Sequence, residues 1–206
     1  MSSSDARSPE RLVFFSDAVI AIALTLLVLP LADAVPEAAE KYSHSFEVIT
    51  ANQAKIYSFL LSFYVIARMW LAHHRLFDQV RAYSPRLVKA NLCWLLTIVV
   101  VPFPTEMIGR FDNDRFTAAF YIGTVLAANV CLFAMMLIIR AAPALAEDGG
   151  LHDRSLFMEG VTTGILVVAF VLAATVPGVT YLPLLLLLLS YPIARIRDRR
   201  TASTPA

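Results

Sequence analysis

Three features of the sequence predict an all-α integral membrane protein with six transmembrane helices per subunit. First, charged residues make up only 16% of the 206 residues and hydrophobic ones 58%, with a mean hydropathy of +0.67. A soluble domain carries about 25% Asp, Glu, Lys and Arg. Second, the apolar residues fall in long blocks of roughly the 20 residues that a bilayer-spanning helix needs. Third, prolines, glycines and charges collect between those blocks. Six spans use about 120 residues, which leaves tails and short loops. The chain, residues 1–206, therefore reads as one six-helix transmembrane domain. That excludes soluble enzyme folds, nucleotide-binding domains and nucleic-acid modules. No GxSxG, Walker or zinc-protease motif is present, so neither an enzyme nor a cofactor is expected.

The first span, at about 12–31, follows a polar stretch with a Ser8-Pro9-Glu10 start signal and is expected to end near Pro30. It lacks the short apolar core and cleavage site of a signal peptide, so it reads as retained. The polar stretch 33–52 reads as a solvent-facing loop. The second span, at about 51–74, carries Lys55 and Arg68 as interior charges. The third, at about 87–103, is expected to close at Pro102 and Pro104. The fourth lies at about 116–139 and the fifth at about 156–176, stopped by Pro177-Gly178. The sixth, at about 179–196, contains the string LPLLLLLLS, and TASTPA reads as a disordered tail. Both cysteines, Cys93 and Cys131, sit inside apolar runs and read as small buried hydrophobes.

Basic residues set the orientation. Arg75, Arg81, Arg86 and Lys89 lie between the second and third spans, and Arg195, Arg197, Arg199 and Arg200 follow the sixth. These segments are assigned to the cytoplasm. An even number of spans then puts both termini there.

The chemistry concentrates in the first span. Asp17, preceded by Ser16, lies one to two turns inside an apolar run, where an ionisable group needs a partner or water. Arg11 is six residues earlier, too far around a straight helix for an ideal pair. Alternation of the spans puts His73 and His74, at the end of the second, at the same depth, with Asn91 and Trp94 at the start of the third. Depth alone thus gathers Arg11, Ser16, Asp17, His73 or His74, and Asn91 into a polar cluster, and three readings of it stand. It is a hydrogen-bonded clamp on the first span, a proton relay through histidine, or a metal site of His73, His74 and Asp17. Adjacent histidines point about 100° apart on a helix, and no HExxH motif accompanies them. Further out, Ile22, Thr25, Leu26 and Leu29 share one helix face. That stripe fits a core or lipid-facing surface, with Thr25 bonded to the carbonyl four residues back, and it also fits a hydrophobic pore constriction. No TVGYG-like filter is present, and few acids beyond Asp17 lie within the spans, which disfavours an ion-coupled carrier.

The motif Arg11-x-x-x-Phe15-Ser16-Asp17, followed by AVIAIALTLLVLPL, resembles the signature of the transmembrane protein 175 family of cation channels. The resemblance extends to WLAHHRLF at 70–77 and NLCWLLTIVVVPFPTEMIG at 91–109. It implies a homotetramer in a prokaryotic plasma membrane, with the first span of each subunit lining a central pore. In that arrangement Ile22 forms the narrowest ring, Leu26 and Leu29 form further rings, and Thr25 lies near permeant potassium. Arg11, Phe15, Ser16, Asp17, the histidine pair, Asn91 and Trp94 would hold the pore helix. The implied activity is passive flow of potassium and other monovalent cations, with the lipid bilayer and sister subunits as the only partners.

Overall fold

A computed structural model describes residues 10–111, 114–146 and 153–175. Its described elements are helical: α1 (Glu10–Leu26), α2 (Leu29–Lys41), α3 (Ser45–Ala51), α4 (Gln53–Phe77), α5 (Pro85–Val100), α6 (Pro102–Arg110), α7 (Arg115–Ala141) and α8 (Asp153–Thr175), with a 3-10 turn at Pro143–Leu145. Among the described residues, five stretches are long and apolar enough to cross a membrane: Glu10–Lys41, Gln53–Phe77, Pro85–Arg110, Arg115–Ala141 and Ser155–Thr175. The predicted sixth span at 179–196 lies outside the described residues.

Two prolines act differently from expectation. Pro30 does not end the first span but starts the next helix, in the first turn of α2. Its missing N–H leaves the Leu26 carbonyl without a donor four residues on, so the chain breaks at Leu27 and Val28. There Val28 N–H donates instead to Thr25 O at 3.3 Å. Pro102 likewise opens α6 rather than closing the third span. Val101 N–H takes the freed Ile98 carbonyl at 3.2 Å, and Thr105 N–H resumes the ladder on Val101 O at 3.1 Å. Proline suits a first helical turn because its absent donor would be unpaired there anyway. The expected loop at 33–52 is mostly helix, as α2 and α3.

Side chains cap the starts of α5 and α7. Leu87 N–H donates to Ser84 Oγ before α5, and Thr117 N–H to Asp114 Oδ2 before α7. The core centres on α5 and α7, where Leu87, Trp94, Ile98, Tyr121, Ile122 and Met135 have no appreciable exposure. α8 packs along α7, and α1 lies against α4 and α5. The segments after α4 and α7 meet at one end of the bundle, joined by Arg81 N–H to Leu145 O at 2.8 Å. Alternating spans require those two segments to share a side.

Candidate functional site

α1 presents two unlike faces. Ser16, Ile20, Ala23 and Leu27 follow one another at spacings of four, three and four and are buried, Ile20 to 2% exposure. Rotated from them, Phe15, Ala18, Ile22, Thr25 and Leu26 are exposed, Ile22 to 60%. The stripe singled out in the sequence is therefore uncovered within one chain. Leu29 is also exposed, but it stands beyond the break, on α2. The Thr25 hydroxyl donates to the Ile22 carbonyl at 2.8 Å, three residues back rather than four. That bond uses its hydrogen and leaves the oxygen lone pairs able to accept.

The buried face is held by a chain of hydrogen bonds across three helices. Asn91 Nδ2 on α5 donates to Ser16 Oγ at 2.9 Å. Ser16 in turn donates to the Leu12 carbonyl at 2.8 Å. The other end of the carboxamide, Asn91 Oδ1, meets His73 Nε2 at 2.7 Å. Oδ1 has no hydrogen, so His73 must carry its proton on Nε2. The His73 ring stacks on Trp94 at 4.3 Å and 7° and on Phe77 at 4.4 Å. All of Ser16, His73, Asn91 and Trp94 are fully buried. His73 Nδ1 and Trp94 Nε1 face these aromatic surroundings with no hydrogen-bond partner among the described residues.

Asp17 is held separately, by Trp70 Nε1 at 2.8 Å. Trp70 was read only as part of the end of the second span. Its donor N–H one turn before His74 is the signal that depth reasoning passed over. His74 stays outside the Asn91 chain, beside the Trp70 ring and 3.9 Å from Asp78. Arg11 and Phe15 are exposed and take no part in the described hydrogen bonding. Among the described residues no three His, Cys, Asp or Glu side chains gather as a metal-binding group.

Two further buried polar groups escaped sequence reading. Ser62, Thr105 and Tyr121 join α4, α6 and α7, with Ser62 Oγ 2.7 Å from Thr105 Oγ1. Thr105 donates to the Val101 carbonyl at the proline break. Asn129 on α7 donates to Glu159 on α8. Glu159 is an acid within the fifth span, and its charge alone was the available signal.

Residues 11–102 match the family model described as endosomal/lysosomal potassium channel TMEM175. The chain is similar to a potassium channel of Streptomyces collinus, 32% identical over 126 residues, which make up 60% of this chain and 60% of that protein. A potassium channel of Chamaesiphon minutus is also 32% identical, over 58% of this chain and 60% of that protein. The endosomal/lysosomal proton channel TMEM175 of Danio rerio is 25% identical over 70% of this chain, but only 28% of that protein. The chain thus spans less than two thirds of the length of these relatives. Among solved structures, a lysosomal potassium-selective channel TMEM175 homolog from Chamaesiphon minutus matches with a TM-score of 0.71, over 91% of this chain and 96% of that one, at 24% identity. That likeness gives the fold, and with the five apolar helices it makes the chain a multi-pass membrane protein.

Proposed function

We propose that this chain, whose residues 11–102 match the TMEM175 family model, is one subunit of a homotetrameric, potassium-permeable cation channel. One observation carries this reading. α1 has an uncovered apolar stripe opposite a face fixed to α4 and α5 by a buried polar clamp. A single helix cannot enclose water, whereas four copies about a cyclic axis can. In this reading each subunit supplies six spans, residues 179–196 being the sixth. Ile22 forms the hydrophobic constriction, Leu26 and Leu29 line the pore further out, and the free lone pairs of Thr25 meet potassium. Both termini face the cytoplasm of a prokaryotic cell. The activity is passive conduction and not catalysis.

Potassium is favoured over protons as the cargo because the bacterial relatives named as potassium channels share more identity and more of their length. The clamp also argues against a relay. Its donor chain runs from His73 through Asn91 and Ser16 to the Leu12 carbonyl, an oxygen that has no proton to pass on.

The test is a pair of polar substitutions. Ile22→Asn eases wetting of the constriction and is expected to raise single-channel conductance in planar bilayers. Val130→Asn, at an exposed position on α7, leaves it unchanged. Equal effects at both positions would remove span one from the pore.

A further inference from the structure

A second polar cluster occupies a cleft between α4, α7 and α8 that has no α1 residue in its lining. Glu159, in the second turn of α8, accepts from Asn129 Nδ2 at 2.5 Å. Asn129 Oδ1 lies 2.7 Å from the Thr163 hydroxyl, whose single hydrogen is shared with the Glu159 backbone carbonyl at 2.9 Å, while the carboxyl takes the donor end of the carboxamide. Arg68 of α4 lines the same cleft, and its positive charge acts on Glu159.

We propose that Glu159 is an intramembrane proton-binding site whose charge state is carried by α4 to the first span. The argument has three parts. An ionisable group inside a span is costly unless it serves a purpose or is paired, and nothing in the conduction reading uses this one. The local bonding tolerates both charge states, because Asn129 donates to Oε1 whether or not a proton sits on the other carboxyl oxygen. Among the described residues, protonation therefore breaks no hydrogen bond of that carboxyl and removes the attraction to Arg68, which lines the same cleft from α4. Lastly, α4 carries Trp70 and His73 two and five residues beyond Arg68, and these hold Asp17 and, through Asn91, Ser16. One rigid helix thus touches both the acid and the clamp.

Among the described residues, the titratable or charged groups facing Glu159 are Arg68 and Tyr64 of α4. α7 contributes Val125, Asn129 and Leu132, none of them titratable, and α8 adds Thr162 and Leu166. Burial opposes ionisation of such a carboxyl and the guanidinium favours it, so its occupancy by a proton is set by the balance of the two.

Proton binding itself is independent of the channel reading, while its effect on flux rests on it, so the experiment has two readouts. Infrared difference spectra of the reconstituted protein between about pH 8 and pH 5 report carboxyl protonation. Potassium flux into proteoliposomes over the same inner pH range reports transmission. In the wild type a protonated-carboxyl band is expected that Glu159→Gln removes. Flux is expected to change about twofold or more with inner pH, in line with couplings of this kind. Glu159→Gln should be pH-independent, held at the acid-side level of the wild type. A band that survives Glu159→Gln overturns the site, and an unchanged flux profile in that variant overturns its transmission. Loss of the band in a protein that never conducts supports the proton site and refutes the channel reading. Should Glu159→Gln fail to assemble, Glu159→Asp carries the test, since it must shift the spectroscopic midpoint, and an unmoved midpoint contradicts the proposal.

Discussion

Asn91 spends both ends of its carboxamide, accepting from His73 and donating to Ser16. Asn91→Leu leaves the His73 Nε2–H buried with no acceptor, a loss of about 1–3 kcal/mol. Adding His73→Phe removes that orphan and keeps an aromatic ring against Trp94, so the double variant is expected to be less destabilised than the sum of the two single ones. Thermal unfolding in detergent checks this, and strict additivity would contradict the direct bond. Depth along the spans already grouped Arg11, Ser16, Asp17, one of the two histidines and Asn91, with Trp94 at the same level, although Arg11 is exposed and stands outside the clamp. The choice between His73 and His74 was not legible. It depends on the rotation of α4 about its axis, which packing of Leu76 and Phe77 into the core decides. Asp17 presents the same difficulty, since the need for a partner followed from its position while Trp70 followed only from geometry.

At the scale of elements, the prolines explain most of the differences between expectation and structure. A proline inside an apolar run ends one helix or begins the next with the same local chemistry. Pro30 and Pro102 both begin helices because the chain beyond each has more structure to form, α2 and α6. The buried Thr105 to Val101 bond secures the second of these breaks against α4 and α7. Helix α7 starts at an acid cap whose chemistry gives a pH dependence. The Thr117 hydroxyl and backbone N–H hold the Asp114 carboxyl below the usual carboxylate range. A folded-state pKa below the unfolded one means the cap contributes fully above the unfolded value and is lost as pH falls through the folded one. Melting followed from neutral to acid pH should therefore show an acid loss that Asp114→Asn diminishes. An identical acid limb in both proteins would show that the cap contributes nothing to it.

For the whole molecule, the distribution of exposure is the informative quantity. Phe14, Ile22, Leu60, Leu96 and Val168 stand exposed on four different helices, as expected of a membrane-spanning chain whose surroundings are apolar rather than water. The membrane class was legible from hydropathy alone because every span must satisfy its backbone internally and face apolar surroundings. Which exposed faces meet lipid and which meet another subunit was not, since the apolar pattern is the same for both. The uncovered face of α1 is set apart by the polar clamp behind it, and that pairing makes it the proposed pore wall. Thr25 offers the only exposed hydroxyl within that α1 face. The most direct measurement is the reversal potential of the purified protein in a planar bilayer under opposed potassium and sodium gradients, for the wild type and for Thr25→Ala. The account predicts discrete current steps that reverse towards the potassium equilibrium potential, and a shift towards zero in the variant. Absence of steps, or a reversal potential identical in the two proteins, would contradict it.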